Sequence, residues 1–176
     1  MPDDVNALAT VNDDINDQER IMSEPLRWGV LGPGRIARKF ASDLAFTDEG
    51  IITAVGSRSA SSADKFGDEF SIPNRHSSYE ALVADPDVDV VYVATPHPFH
   101  HDNAKLALEH GKPVLVEKAL TMNAAEARDL VATARSAGLF LMEAMWTRFL
   151  PHVVAIRELI ARGVLGNLVT VNAGHG

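Results

Sequence analysis

Cysteine does not occur anywhere in the 176 residues. Its absence excludes disulfides, thiolate metal ligands and cysteine nucleophiles together, and it suits a reducing compartment, so a cytoplasmic location is expected. Aromatic residues are scarce at 6%, with two tryptophans and two tyrosines. The only tyrosines are Tyr79, on a peripheral helix, and Tyr92, inside the central strand, and neither is expected to serve as an acid–base group. No uninterrupted apolar stretch nears the ~18 residues of a membrane span, and no membrane partner is expected. Excess positive charge is missing as well. The formal net charge is -8, and most of it lies in the first 24 residues, where Asp3, Asp4, Asp13, Asp14, Asp17, Glu19 and Glu24 oppose Arg20 alone. The near-neutral remainder argues against nucleic acid as a partner. The acidic segment lacks the basic and apolar regions of a secretory signal and is expected to be a solvated, disordered tail over residues 1–24.

What is present reads as a globular α/β chain, with 46% hydrophobic and 23% charged residues. From Pro25 onward, short β-rich runs alternate with segments of helical period. Strands are expected over Leu26–Leu31, Ile51–Val55, Val88–Ala94, Val114–Val116, Leu139–Met142 and Leu168–Ala173, with room for a short one near Arg75. Helices are expected over Arg35–Ala45, Ser61–Phe70, Tyr79–Ala84, His100–His110, Asn123–Ala137 and Leu150–Arg162. Asn123 with Glu126 three residues on has the pattern of a capping box. The nearly continuous apolar run Val-Asp-Val-Val-Tyr-Val-Ala over 88–94 suits a central strand covered on both faces. Strict alternation implies a doubly wound parallel sheet, whose ligands bind at the C-terminal ends of the strands.

The first strand is followed by Gly32-Pro33-Gly34-Arg35-Ile36-Ala37, which places two glycines and a small residue in the G-x-G-x-x-G/A spacing at the first strand–helix junction. That position fits a dinucleotide cradle: one glycine for the tight turn, one for close approach of a pyrophosphate, and a helix N-terminus behind them. The second strand ends Ala54-Val55-Gly56-Ser57-Arg58-Ser59, without the carboxylate that would hold the ribose 2′-hydroxyl of NAD. Arg58 can instead pair with a 2′-phosphate, helped by the hydroxyl of Ser57, so NADP is the expected cofactor and NAD the less favoured one.

After the central strand comes Thr95-Pro96-His97-Pro98-Phe99-His100-His101. His97 and His101 stand four apart, but Pro98 separates them and nothing completes a ligand set, so no metal is expected. A turn that lays backbone against a nicotinamide ribose is the better reading of Thr95, Pro96, His97 and His100. His110, at a helix C-terminus, reads as a cap. Glu117 and Lys118 sit at the end of the next strand, facing the same crevice, where Lys118 could hydrogen-bond a substrate hydroxyl and relay a proton.

These ordered motifs, with Gly111-Lys112-Pro113, Glu117-Lys118-Ala119 and Leu165-Gly166-Asn167, resemble the glucose–fructose oxidoreductase/inositol dehydrogenase (Gfo/Idh/MocA) family over about residues 26–176. The stretch from Gly138 to Pro151 looks like the family's dihydrodiol dehydrogenase and NADP-dependent xylose dehydrogenase branch. The resemblance implies a Rossmann domain over residues 25–145 and NADP-linked oxidation of a hydroxyl on a sugar or cyclic diol. It makes Lys118 the catalytic lysine of a Glu-Lys-Pro motif, and Trp146 and Arg148 further cofactor contacts. Two residues depart from the family pattern: Ala119 stands for the usual proline and His97 for the usual asparagine.

Family members continue into an open-faced substrate domain, of which residues 146–176 are expected to be only a linker helix and a first strand. The expectation is therefore the nucleotide-binding half of an NADP-dependent oxidoreductase acting on a small polyol or sugar. The alternative is a non-catalytic NADP-binding module or a remnant of a truncated dehydrogenase gene. An unpartnered strand over Leu168–Ala173 would favour homo-oligomerisation.

Overall fold

The computed structural model describes residues 25–172 and residue 174; the acidic segment 1–24 lies outside them. The chain divides into two compact units, one ending at Glu143 and one running from Ala144.

In the first unit, β1 (Leu26–Leu31), β2 (Gly50–Gly56), β3 (Asn74–His76), β4 (Val90–Val93), β5 (Val114–Val116) and β6 (Leu141–Glu143) form one sheet in the order β3-β2-β1-β4-β5-β6. All five pairings are parallel. This is the doubly wound Rossmann arrangement, with the strand order reversing between β1 and β4. All four residues of β4 are buried, as its apolar run requires of a strand covered on both faces. Its flanks, Val88, Asp89 and Ala94, lie outside the strand, although the N–H groups of Asp89 and Ala94 still donate to the β1 carbonyls of Arg27 and Leu31 at 2.8 and 2.9 Å.

The connecting helices are α1 (Arg35–Leu44), α2 (Ala60–Phe70), α3 (Tyr79–Val83), α4 (His100–Glu109) and α5 (Ala124–Ala137). Their apolar faces close a core in which Leu31, Val91, Val93, Leu108 and Leu130 are almost wholly buried. The Asn123 half of the expected capping box forms at α5: Asn123 Oδ1 accepts from the backbone N–H groups of Ala125 and Glu126, each at 3.0 Å. The Glu126 carboxylate reaches back to the N–H of Met122 at 3.0 Å. His110 accordingly caps α4, its Nδ1 donating to the Leu106 carbonyl at 2.8 Å.

The second unit holds a 3-10 turn over Trp146–Phe149 and α6 (Pro151–Ala161), with Pro151 in its first turn. The strand expected over Leu168–Ala173 is not formed: residues 168–172 are irregular, and Ala173 lies outside the described residues. The apolar alternation is real, but a strand exists only through a ladder to a neighbour. Here Val169 and Val171 are 93% and 76% exposed. The exposed edge on which the homo-oligomer expectation rested is therefore absent from the described residues.

Candidate functional site

The reversal point between β1 and β4 brings two turns together at the C-terminal edge of the sheet. At the end of β1, Gly32 adopts φ +95, and a Cβ there would meet Thr95 Cγ2 at 2.9 Å. Both the left-handed backbone and the close packing against the β4 turn thus require glycine. Gly32 N–H donates to the Gly56 carbonyl at 3.0 Å, and Gly34 N–H donates back to the Gly32 carbonyl at 2.8 Å. Gly34 differs. A Cβ there would meet nothing nearer than the Ala94 carbonyl oxygen at 4.0 Å, so the protein itself leaves the space in front of it open. Helix α1 starts here with no side-chain cap and no acidic residue in its first turn. Its free N–H groups and positive dipole end are left for an anion.

A cleft of about 480 Å³ follows this turn, lined by Gly32, Pro33, Gly34, Arg35, Ile36, Ser57, Ser62, Tyr79 and Ala94–Pro96. A second cleft of about 730 Å³ shares Arg35, Ile36, Thr95 and Pro96 and extends to Lys39, His97, Pro98, His100, Glu117 and Lys118. The two clefts share these four wall residues, so the glycine turn and the Glu-Lys pair line adjoining parts of one crevice.

At the end of β2, Ser57 is buried and its Oγ accepts from the N–H of Ser59 at 3.2 Å. Arg58 is exposed, and among the described residues no carboxylate comes within ion-pair distance of it. Its guanidinium carbon stands 5.2 Å from the ring centre of Phe99. Arg38, which also follows the glycine turn, is engaged elsewhere, pairing with Glu69 at 2.9 Å.

The β4 turn is held from behind. His100 is wholly buried, and its two ring nitrogens face two carbonyl oxygens, Nδ1 to Ala119 and Nε2 to Thr95, each at 2.7 Å. His97 Nε2 donates to the Lys118 carbonyl at 2.9 Å. The two histidines thus clasp the β4 turn to the Lys118–Ala119 peptide, which is cis. Thr95 is fixed from another side, its Oγ1 accepting from Asn103 Nδ2 at 3.1 Å. Ring nitrogens that face carbonyls have no capacity left for a ligand, so His100 acts on the crevice by holding it in shape.

Glu117 is positioned by Tyr92, whose hydroxyl donates to Oε1 at 2.5 Å, and by the Lys118 N–H, which donates to Oε2 at 3.2 Å. Burial and that carboxylate together push the Tyr92 phenol far above the usual tyrosine range. Tyr92 is therefore a permanent donor and no proton carrier. Lys118 is exposed to the crevice and has no ion-pair partner among the described residues.

Gly32, Pro33, Gly34, Arg35, Ile36, Ser57, Thr95, Pro96, His97, His100, Glu117 and Lys118 therefore gather around one crevice, with Arg58 following Ser57. Trp146 and Arg148 belong to the 3-10 turn of the second unit, where both are exposed. Sequence reasoning missed Lys39, Ser62, Tyr79 and Pro98 as lining residues, and it missed the Tyr92 contact to Glu117. A hydroxyl inside an otherwise apolar strand was the available signal, because a buried hydroxyl needs a partner. No group of three or more His, Asp or Glu side chains among the described residues could hold a metal ion. No helix among them is long and apolar enough to cross a membrane.

Comparison with known proteins gives a consistent result. The sequence model of the Gfo/Idh/MocA oxidoreductase family, NAD-binding Rossmann fold, matches residues 26–145. The chain is 44% identical over 153 residues to the trans-1,2-dihydrobenzene-1,2-diol dehydrogenase of Mus musculus, covering 86% of this chain and 46% of that protein. It is 45% identical over 155 residues to the NADP(+)-dependent D-xylose 1-dehydrogenase of Hypocrea jecorina, covering 81% of this chain and 40% of that one. Among solved structures, KijD10, a 3-ketoreductase from Actinomadura kijaniata crystallised with NADP, superimposes with a TM-score of 0.73 at 35% identity. That match covers 81% of this chain and 46% of KijD10. The chain thus spans less than half the length of these relatives. With its glycine turn, its strand order and its Glu-Lys pair on one crevice, it belongs to the Gfo/Idh/MocA oxidoreductase family and folds that family's NAD-binding Rossmann domain.

Proposed function

We propose that the chain is the nucleotide-binding half of an NADP-dependent oxidoreductase that oxidises a hydroxyl of a sugar or a cyclic trans-dihydrodiol. One observation carries the reading: the open glycine turn, the carboxylate-free end of β2 and Lys118 surround a single crevice. The residues fit NADP. Gly32–Ile36 and the α1 N-terminus would take the pyrophosphate, where Gly34 leaves room and no acidic side chain repels it. Ser57 and Arg58 would take the 2′-phosphate, since a guanidinium without a carboxylate partner is free to form a bidentate contact. Thr95, Pro96 and His97 would lie along the nicotinamide ribose.

When bound, the cofactor supplies the acceptor for the substrate's hydride. This chain's part is then to hold the reacting hydroxyl and its proton. Lys118 lines the crevice without an ion-pair partner among the described residues and is the catalytic residue of this reading, hydrogen-bonding that hydroxyl and exchanging its proton. Glu117, fixed by Tyr92, keeps the strand end on which Lys118 stands in register. The absence of cysteine supports a cytoplasmic setting. The names of two similar proteins, a dihydrodiol dehydrogenase and an NADP(+)-dependent xylose dehydrogenase, support the substrate class.

The alternative reading is a coenzyme-binding module without turnover of its own. The test mixes the chain and its Lys118→Met variant with NADP and a panel of pentoses, hexoses and cyclic diols, and follows absorbance in the NADPH band. Turnover that disappears in Lys118→Met, with NADP affinity retained, supports the oxidoreductase. NADP binding with no turnover on any substrate supports the module instead.

A further inference from the structure

Arg58 follows β2, while Phe99 ends the 3-10 turn after β4, so their contact is made across the mouth of the fold. The guanidinium carbon lies 5.2 Å from the ring centre, within the ~6 Å at which a cation is attracted to an aromatic face. Phe99 is 42% exposed and adds little to the core, yet its backbone is firmly placed. Its N–H donates to the Pro96 carbonyl at 2.9 Å, and the next residue is the buried, doubly bonded His100. The ring is therefore a fixed surface at a site where packing does not demand an aromatic residue.

A guanidinium on such a surface is held by its face, and its N–H groups, which lie in its plane, stay free to donate. No carboxylate among the described residues competes for them. An arginine loses much rotamer freedom when it grips a ligand, and ordering it beforehand lowers that cost. We propose that Phe99 is a positioning residue that sets coenzyme choice: its ring orders the Arg58 guanidinium for a 2′-phosphate. This rests on the reading of Arg58 as the NADP-selecting residue. NAD lacks that phosphate and gains nothing from the ordered guanidinium, so the effect falls on discrimination between the two coenzymes.

The experiment titrates the full chain calorimetrically with NADP and with NAD, for the wild type and for Phe99→Leu, Phe99→Tyr and Arg58→Ala. Melting curves without coenzyme confirm that each variant folds. Phe99→Leu is expected to lower the ratio of NADP to NAD affinity roughly two- to fivefold, the range of an exposed cation–π contact. Phe99→Tyr, which keeps the ring, restores the ratio, and Phe99→Leu added to Arg58→Ala changes it no further. An unchanged ratio in Phe99→Leu, or an equal drop in the Arg58→Ala background, overturns the role of Phe99. A wild type without preference for NADP overturns both this inference and the reading of Arg58 beneath it.

Discussion

Tyr92, in the buried β4 strand, donates its hydroxyl to Glu117 Oε1 at 2.5 Å, tying the centre of the sheet to the residue beside Lys118. The ring is held independently, stacked on Phe40 with centroids 4.2 Å apart, and Phe40 in turn meets Trp28 edge-on at 5.0 Å. Tyr92→Phe therefore removes one hydrogen bond and leaves the packing. Glu117 is only half-buried, so water can partly replace the lost donor. The expected cost is about 1–2 kcal/mol, read as a lower denaturation midpoint with an unchanged slope against urea.

The two glycines of the first turn separate folding from binding. Gly32→Ala forces a side chain onto backbone at φ +95 and against Thr95, and a loss of about 1–3 kcal/mol of stability is expected. Gly34→Ala meets no protein atom nearer than 4.0 Å, so it should melt like the wild type. Its methyl would occupy the approach to the α1 N-terminus, and NADP affinity should fall by at least tenfold. Melting curves together with calorimetric titrations distinguish the two effects.

His101 links α4 to α5, its Nδ1 2.8 Å from Asp102 and its Nε2 2.9 Å from Asp129, which also pairs with Lys105 at 2.8 Å. Burial opposes its charge, but the two carboxylates outweigh that and raise its pKa. A raised folded value favours the protonated folded state. The stabilisation is complete below the ordinary imidazole pKa of about 6.5 and is lost as pH rises through the folded value. Melting temperature should therefore decline through that window in the wild type, and the decline should be smaller in His101→Gln. Identical pH profiles for the two proteins would remove His101 as its source.

Local signals carried much of the architecture. The order of apolar runs, the Gly32-Pro33-Gly34 turn, the Asn123 helix cap and the missing carboxylate at the end of β2 are all contiguous in sequence, and each corresponds to a feature of the fold. What stayed hidden depends on contacts between distant segments. The two carbonyls on His100 come from turns on either side of it, and the Phe99 surface under Arg58 appears only once β2 and β4 are side by side. Leu168–Ala173 shows the opposite failure. Its alternation is the local signature of a strand, but pairing requires a neighbour, and none lies beside residues 168–172 in the described structure.

Arg58 is the proposed selector of NADP, and the direct measurement of that role is coenzyme affinity for the wild type and Arg58→Ala. The wild type should bind NADP more tightly than NAD, and Arg58→Ala should reduce that preference by about tenfold or more, the loss of a charge-assisted contact worth ~1.5–3 kcal/mol. Failure of the folded wild type to bind either coenzyme, or a preference that survives in Arg58→Ala, would contradict it.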